Sequence, residues 1–580
     1  MTARPRHRIT VLGTTDLHGH VRNWDYLADQ EYADPLGNEV GLAKIATLVS
    51  RLRTERGAEN CVLLDAGDTI QGSALAEHFA RVDPVTAGAK HPMAVVMNHL
   101  GYDAAALGNH DFTHGLATLR AFEDQLDFPL LGANVHAWGT GAPAFTPWVV
   151  RTVHAPAGPP VRVGILGLVT PGVAVWDERH VAGRLRFEGV VEQAARSVPE
   201  LRAAGADVVL VCCHSGADGA SSYGAALPWP ENASTLLAQR VPGIDAILVG
   251  HAHVEIAERF VAHEQTGRPV LLSEPVSWGM RLTVIDLDLE LTGGHWRVAG
   301  VRAQLRHASE VPEDPRVVDL VAPHHDAVRR HLSTPVATSR ARLSLATARF
   351  EDSSLLRLLA HVQASALQRE LAGSAAADLP VLSLVAPTTR SGMLPLGTIT
   401  RRHLAGLYRH DSTLVGARLS GAELRAHLER AAAFFHQVTG PGPVTADELT
   451  NAPTPLAPHG TPDDVFDTAH GLDHPLTYAI DLARPVGSRV TDLRYAGTSV
   501  HASDQFAVAV GSYRHSGGGG FAEVAAALVL HDGGLEIRQL LQQWVRAERV
   551  VDGTRFRGPH WRLMANGRPL RLTGGENLPS

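Results

Sequence analysis

Short apolar runs that end in a polar loop recur along the first half of the chain. They cover residues 9–13, 61–64, 103–107, 161–167, 208–212 and 246–249. Apolar runs of this length, bounded by turn-forming residues, are typical of buried β-strands. Apolar positions at helical spacing predict helices over residues 41–53 and 188–203, and residues 270–289 predict closing strands. The first half is therefore predicted to have an α/β fold.

The pattern changes near residue 335. A polar helix is predicted over residues 312–332, and Pro335 breaks it, so the two domains are predicted to be residues 1–335 and 336–580. Ser354 and the two polar residues before it can cap a helix that runs to residue 371, and residues 379–386 predict a strand. Six prolines between residues 441 and 462 predict a long loop.

Composition narrows the class of protein. A length of 580 residues predicts at least two domains, and 44% hydrophobic with 19% charged residues is typical of a globular enzyme. The net charge of −8 argues against a nucleic-acid polymer or a membrane surface as partner. Cys61, Cys212 and Cys213 lie in apolar runs and are predicted to be buried thiols.

Targeting signals are not evident in the sequence. The residues before the first predicted strand lack the apolar segment of a signal peptide, and no apolar run of about 20 residues predicts a membrane-spanning helix. The expected location is cytoplasmic for the chain as written, and extracytoplasmic if the reading frame starts further upstream. The sequence does not predict an oligomeric state.

Side chains that bind metal ions follow five of the predicted strands. In α/β sheets, ligands bind beyond the carboxyl ends of the strands. Nitrogen and oxygen donors in this number suit two divalent ions, which at roughly 3.5–4 Å separation can activate water and stabilise a phosphoryl centre. Each loop alone would suit an ordinary turn with a surface histidine, but their repetition favours a dinuclear site. The candidate ligands are Asp16, His18, Asp68, Asn109, His214, His251 and His253.

Two residues beside Asn109 are the candidate catalytic groups. His110 can give or take a proton near neutral pH, and Asp111 is the candidate to orient it. The chain has 32 histidines, so an isolated one carries little information. His110 is different because it lies within the same strand-end loop as a candidate metal ligand.

These segments resemble the calcineurin-like metallophosphoesterases, and more narrowly the 5′-nucleotidase superfamily. They are most similar to its 2′,3′-cyclic-nucleotide 2′-phosphodiesterase/3′-nucleotidase branch, in which Asp-Tyr follows the first metal motif. The resemblance implies a four-layer metallophosphoesterase β-sandwich with flanking helices, followed by a C-terminal α/β substrate domain of the 5′-nucleotidase type. The segments are Thr14-Thr15-Asp16-Leu17-His18, Trp24-Asp25-Tyr26, residues 41–48, residues 101–112 and Gly115-Leu116.

The resemblance also implies how the ligands divide. One ion, which can be Mn, Zn, Fe or Co, would be held by Asp16, His18, Asp68 and His253. The second would be held by Asp68, Asn109, His214 and His251, so Asp68 would bridge the two. In the 5′-nucleotidase branch an Asp follows the catalytic histidine by three residues, whereas this chain has Thr113.

The second half resembles the substrate domain of the same branch, whose members hold the base between two aromatic rings. By motif position these rings would be Phe466 and Tyr513, and Arg390 would contact the substrate. Stacking on a ring stabilises a bound base by roughly 1–3 kcal/mol. For each ring alone, core packing is the competing interpretation. The last fifty residues carry no usable motif.

The combined prediction is a dinuclear hydrolase whose partner is a small-molecule nucleotide. It would convert 2′,3′-cyclic nucleotides to 3′-nucleotides, and these to nucleosides and phosphate. A 5′-nucleotidase or nucleotide-sugar hydrolase on the same scaffold is the first alternative. A catalytically silent nucleotide-binding or adhesion module is the second, and the complete ligand set argues against it.

Overall fold

The computed structural model describes residues 4–387, 389, 392–408, 412–450, 465–558 and 560–573. The chain divides into two compact units, residues 1–329 and 330–580. The boundary predicted at residue 335 lies just after the helix Pro315–Leu332, near the start of the second unit. Each unit has hydrophobic cores of its own.

Two six-stranded sheets form the frame of the first unit. The first has the spatial order His295–His307, Arg281–Thr292, Arg6–Thr14, Cys61–Asp65, Ala104–Ala106 and Leu130–Leu131. The second has the order Glu255–Ala262, Pro269–Pro275, Ala246–Val249, Val208–His214, Val161–Val169 and Trp148–Val153. The strands predicted from the apolar runs are all present.

The two sheets pack face to face. Ile9 and Val62 of the first sheet share one buried cluster with Ile165 and Leu210 of the second. Helix Val190–Ala203 covers the outer face of the second sheet, and helix Leu42–Arg56 contacts the first. Strands buried on both faces are apolar throughout, which explains the uninterrupted apolar runs. The predicted four-layer sandwich is confirmed.

The helices of the first unit lie in the connections and flank the sheets. The α-helices are Leu42–Arg56, Ala74–Glu77, Pro92–Leu100, Leu116–Glu123, Val173–Trp176, Glu178–Val181, Val190–Ala203, Ser234–Arg240 and Pro315–Leu332. Single turns of other helix types are Ala58–Asn60, His78–Val82, Val85–Ala87, His110–Phe112 and Ala308–Glu310. Short two-stranded pairings join Trp24–Asp25 to Gln30–Glu31 and Val135–Ala137 to Leu185–Phe187.

The central strands of each sheet run parallel, so their carboxyl ends share one edge. Strand Arg6–Thr14 is parallel to Cys61–Asp65, which is parallel to Ala104–Ala106. Strand Val208–His214 is parallel to Ala246–Val249 in the facing sheet. The five loops with candidate ligands therefore follow parallel strands, as α/β ligand sites generally do.

The second unit contains two five-stranded sheets. One has the order Thr468–Gly471, Val381–Val385, Gln505–Gly511, Thr413–Ser420 and Leu528–Glu536. The other has the order Thr498–Ser499, Val490–Tyr495, Leu476–Asp481, Trp561–Ala565 and Arg568–Pro569. Smaller sheets comprise Gly397–Thr400, Pro335–Ser339 and Val550–Val551; Leu343–Ser344 and Met393–Leu394; and Val444–Thr445 and Leu572–Thr573.

Helices pack on these sheets. The α-helices are Ser354–Leu371, Arg401–Leu407, Gly421–Ala432, Ala446–Leu449, Ser512–His515, Ala522–Ala525 and Ile537–Glu548, with single 3-10 turns at Gly518–Gly520 and Gly553–Phe556. Ser353 caps the first of them by accepting a hydrogen bond from Leu356 N–H, close to the predicted start. The loop predicted over residues 441–462 instead begins with a short strand and a helical turn, because Thr445 forms a capping box with Glu448. Residues 451–462 of it lie outside the described residues.

The predicted state of the cysteines is confirmed, since all three are buried free thiols. Among the described helices, none combines the length and hydropathy that crossing a bilayer requires.

Candidate metal centre

Five loops bring the seven candidate ligands to one end of the sandwich. Asp16 N–H donates to the carbonyl of Gly67, and His18 N–H donates to the carbonyl of Asp68, so the first two loops are fastened to each other. Gly108 lies so close to Asp68 that a side chain there would collide with the Asp68 backbone and carboxylate. This close approach explains why glycine precedes Asn109 in the sequence.

The backbone of most ligand residues is strained. Asp16, His18, Asp68, His251 and His253 all have positive φ angles, between 47° and 85°. Side-chain-bearing residues adopt this region rarely, and each instance costs of order 1–3 kcal/mol. Five such residues within one cluster indicate that the fold holds these side chains in a geometry that function, and not local stability, requires.

The first group of donor atoms combines Asp16, His18 and His253, whose ligand atoms lie within 4.8 Å of one another. His253 Nε2 is 3.0 Å from Asp16 Oδ1 and 3.2 Å from His18 Nε2. His18 Nε2 is also 3.8 Å from Asp68 Oδ2. The structure therefore brings together the four residues predicted for one ion.

The second group combines Asp16, Asp68 and His214, again within 4.8 Å. His214 Nε2 is 3.1 Å from Asp68 Oδ2 and 3.2 Å from the side-chain oxygen of Asn109. Three of the four ligands predicted for the second ion therefore converge. The two groups overlap at Asp16, while Asp68 approaches histidines of both, which suits the bridging position predicted for it.

His251 lies beside the second group but makes different contacts. Its ring centroid is 5.4 Å from that of His214, and its backbone N–H donates to Asp16 Oδ2. Its Nε2 is 2.9 Å from Glu231 Oε1, so this nitrogen carries the proton and Nδ1 is the one that can bind an ion. The sequence pattern does not indicate Glu231, which lies in a polar loop after the fourth ligand strand.

The histidine tautomers fit a metal centre. His18 Nδ1 lies 2.8 Å from the carbonyl of Gln71, and His214 Nδ1 lies 2.8 Å from the carbonyl of Ala66. A carbonyl only accepts hydrogen bonds, so each Nδ1 carries a proton and Nε2 is the nitrogen of each ring that can bind an ion. Metal-binding histidines are generally fixed in this way. The donor set of carboxylate, amide and imidazole groups suits a divalent transition-metal ion.

The electrostatic field of the cluster is negative. Burial lowers the pKa of His214, but the charges of Asp68 and Asp16 outweigh burial and raise that pKa to about 10. Burial dominates at His18 and lowers its pKa to about 4, which keeps the ring neutral at pH 7. Two buried carboxylates this close require positive charge nearby, and a divalent cation provides it.

His110 lies at the edge of the donor cluster. Its ring centroid is 5.5 Å from that of His18, and its backbone N–H donates to Asp68 Oδ1 at 2.8 Å. Its Nδ1 is 3.4 Å from the hydroxyl of Thr113, the residue at the position where the related branch has an Asp. Burial lowers the pKa of His110 despite the charge of Asp68.

Asp111 does not orient the ring of His110. Its Oδ1 accepts hydrogen bonds from the backbone N–H groups of Thr69 and Ile70, and its Oδ2 accepts from those of Asp68 and Gly108. The catalytic role predicted for Asp111 is therefore corrected: with four amide donors, its carboxylate fastens two ligand loops together. A four-residue motif could not reveal this, because three of the four donors, Asp68, Thr69 and Ile70, lie in another loop.

The predicted base-binding residues of the second unit have different placements. Phe466 is 0% exposed, and its ring packs against Phe434, Phe435 and Trp561 within the core. This corrects the stacking role predicted for it, since a ring with no exposed face cannot bind a base. Tyr513 is 57% exposed. Arg390 lies outside the described residues.

A buried ion pair lies beside both rings. Arg514 donates two hydrogen bonds to the carboxylate of Asp467, at 2.9 and 2.8 Å, and His427 Nε2 is 2.9 Å from the same carboxylate. The guanidinium also lies 4.3 Å from the ring centroid of Phe521. The helical turn that carries Tyr513 is thus tied to the segment after Phe466.

Comparison with known proteins agrees with this architecture. A family model described as calcineurin-like phosphoesterase matches residues 9–255, and one described as the 5′-nucleotidase C-terminal domain matches residues 332–526. The chain is 30% identical over 583 residues to the 2′,3′-cyclic-nucleotide 2′-phosphodiesterase/3′-nucleotidase of Salmonella typhimurium, covering 93% of the chain and 86% of that protein.

Two further similarities differ in what they cover. The chain is 31% identical over 590 residues to the trifunctional nucleotide phosphoesterase protein YfkN of Bacillus subtilis, but spans only 38% of that protein's length and 95% of its own. The crystal structure of a putative 5′-nucleotidase from Staphylococcus aureus superposes with a TM-score of 0.72 at 22% identity, covering 96% of this chain and 100% of that one. The similarity to the Staphylococcus aureus structure shows a shared fold alone.

Proposed function

The chain belongs to the calcineurin-like phosphoesterases that carry a 5′-nucleotidase C-terminal domain, and we propose from this that it hydrolyses nucleotide phosphoesters. Its main substrates are 2′,3′-cyclic nucleotides, opened to 3′-nucleotides, and 3′-nucleotides, cleaved to nucleoside and phosphate. Two relatives support the proposal, since one is named a 2′,3′-cyclic-nucleotide 2′-phosphodiesterase/3′-nucleotidase and the other a trifunctional nucleotide phosphoesterase.

The observation that carries this proposal is the overlap of two donor groups at Asp16, with Asp68 next to histidines of both. This arrangement supports two divalent ions, of Mn, Zn, Fe or Co, and not one. When bound, such a pair lowers the pKa of water and stabilises negative charge on phosphoryl oxygens. The nitrogen and oxygen donors do not select among these four metals.

Residues of the chain orient the nitrogen atoms that would bind the ions, and they supply the group that transfers a proton. His18 and His214 present Nε2 because backbone carbonyls hold their Nδ1 protons. Asp68 accepts a hydrogen bond from the backbone N–H of His110, which holds the backbone of His110 next to the donor cluster. From there, the imidazole of His110 donates a proton or a hydrogen bond to the leaving oxygen of the ester.

The second unit binds the nucleoside part of the substrate, and Tyr513 stacks on its base. The 57% exposed ring of Tyr513 supports this role, because an aromatic face open to solvent can accept a base of any type. The buried ion pair between Arg514 and Asp467 fixes the neighbouring backbone. Phe466 contributes to the core and not to stacking.

A panel of three nucleotides tests the proposal. The chain is dialysed against Mn²⁺ and assayed with 2′,3′-cyclic AMP, 3′-AMP and 5′-AMP, with products separated by chromatography. We expect 3′-AMP and then adenosine from the cyclic substrate, and slow turnover of 5′-AMP. Asp68→Ala is the metal-site control and should be inactive on all three.

Either of two results would change the proposal. Preference for 5′-AMP would assign the chain to the 5′-nucleotidase alternative while leaving the metal centre in place. Binding of AMP without turnover of any of the three would support the silent nucleotide-binding module.

A further inference from the structure

The loop between strand Val208–His214 and helix Ser234–Arg240 contacts two residues beside the second group of donor atoms, Ser215 and His251. Ser215, next to ligand His214, donates its hydroxyl hydrogen to the carbonyl of Glu231 at 2.6 Å. The same hydroxyl accepts the backbone N–H of Ala233 at 2.9 Å. The far end of the loop is therefore fastened directly to the residue that follows a metal ligand.

Glu231 is held firmly by this loop. Only 8% of the residue is exposed, its backbone N–H donates to the hydroxyl of Ser221, and its Oε2 accepts the backbone N–H of Ser222. Its other oxygen, Oε1, lies 2.9 Å from Nε2 of His251. One carboxylate thus joins the loop to a histidine on a different strand end.

The ring of His251 is restrained on a second side. The indole of Trp176 stacks on it with a centroid distance of 5.7 Å and an interplanar angle of 26°. Tyr223, from the same loop as Glu231, lies 5.8 Å from that indole. The stacked indole limits rotation of the imidazole, while Glu231 determines which ring nitrogen carries the proton.

We infer that Glu231 is a positioning residue that holds His251 as a ligand of the second metal ion and thereby determines how tightly that ion is retained. Because Ser215 binds the backbone of Glu231, one loop fixes both histidines of this ion, His214 and His251. Partners of this kind behind a metal-bound histidine typically change metal affinity by about 10- to 100-fold when removed. The inference rests on the proposed dinuclear centre.

Three substitutions test the inference. Glu231→Ala removes the acceptor of the Nε2 proton, whereas Glu231→Gln keeps a carbonyl oxygen that can accept it. Glu188→Ala is the matched control, because Glu188 also lies near a histidine, with Oε2 3.5 Å from His136 Nε2, and neither residue is a candidate metal ligand. Circular dichroism of each variant establishes that it is folded.

The readouts are the number of ions per chain after dialysis, determined by elemental analysis, and a Mn²⁺ titration by calorimetry. Wild type, Glu188→Ala and Glu231→Gln should retain two ions. Glu231→Ala should retain one, bind the second about 10- to 100-fold more weakly, and recover turnover at high Mn²⁺ concentration.

Two outcomes would overturn the inference. The first is binding of both ions by Glu231→Ala with wild-type affinity. The second is loss of the second ion from Glu231→Gln as readily as from Glu231→Ala, which would make charge the determinant instead of position. A wild-type chain that binds a single ion would instead overturn the proposed dinuclear centre on which the inference stands. The metal analysis therefore separates these failures without using a substrate.

Discussion

Substitution of His110 can separate an effect on catalysis from an effect on metal binding. Its imidazole belongs to neither group of donor atoms, while its backbone N–H supports Asp68. His110→Ala removes only the ring, so we expect both ions to remain. Turnover of a nucleotide should fall by about 10²- to 10⁴-fold, the range that general acid–base groups contribute. Steady-state kinetics together with elemental analysis measures both quantities.

A distant histidine provides the comparison for this experiment. His99 is exposed at the end of the helix Pro92–Leu100, and His99→Ala should leave turnover and metal content unchanged. If His110→Ala kept wild-type turnover at saturating metal, its catalytic role would be lost. If it lost ions, the ring would belong to the metal centre.

Phe466 and Tyr513 should respond in opposite ways to substitution. Phe466→Ala leaves a cavity in the core and should lower the free energy of unfolding by about 3–5 kcal/mol. Tyr513→Ala should change stability little and raise KM, since base stacking contributes about 1–3 kcal/mol to binding. Urea unfolding and substrate titration of the two variants give the comparison. Unchanged KM in Tyr513→Ala would contradict the base-stacking role.

At the scale of elements, a buried charge cluster secures the turn Ser512–His515. Burial alone would raise the pKa of Asp467, but the hydrogen bond from His427 and the charge of Arg514 outweigh burial and lower it. Asp467→Asn removes the carboxylate charge that faces the buried guanidinium of Arg514 and should cost about 3–5 kcal/mol of unfolding free energy at pH 7. Equilibrium denaturation of the variant and wild type measures this cost.

The contribution of Asp467 to the free energy of unfolding decreases at low pH. Because the pKa of Asp467 is lower in the folded chain than in the unfolded chain, its contribution is fully present above the unfolded value of about 3.9. The contribution is lost as pH falls through the folded value, and Asp467→Asn should lack this loss. Asp492→Asn is the control, since the carboxylate is 65% exposed and 3.8 Å from Arg494. A difference between the two variants of less than about 1 kcal/mol would contradict the importance of the buried pair.

The strands, and the convergence of the candidate ligands at one end of the sheets, could be predicted from the sequence because both follow local rules. Runs such as residues 61–64 and 246–249 are apolar since both faces of these strands are buried, and each ligand follows its strand within a few residues. The observed strands Cys61–Asp65 and Ala246–Val249 match those runs. Short segments are therefore enough to place the candidate ligands.

Contacts between distant loops could not be predicted in the same way. Asp111 follows His110 in the sequence, yet its carboxylate binds amides 41 to 43 residues earlier as well as that of Gly108. Glu231 reaches His251 across 20 residues of chain. The burial of Phe466 depends on three rings from other segments. Periodicity records which face of an element is apolar, and not which partner covers it.

At the scale of the whole molecule, the candidate metal centre draws its residues from both sheets of the first unit. Asp16, Asp68 and Asn109 follow strands of one sheet, whereas His214, His251 and His253 belong to strand ends of the other. Ions bound by both sets bind the folded chain and not the unfolded one. They should therefore stabilise it by about 2.7 kcal/mol when present at 100 times their dissociation constant.

Removal of the ions by EDTA should accordingly lower the midpoint of thermal unfolding by a few degrees, and added Mn²⁺ should restore it. Differential scanning calorimetry of the full chain measures the shift. The Asp68→Ala variant, which lacks the carboxylate shared by histidines of both groups, should show little response to either reagent. An equal response of wild type and variant would mean that the stabilising ions bind elsewhere. If EDTA left the unfolding midpoint of the wild type unchanged, no bound cation would link the two sheets. The strained loops would then be held by the protein alone.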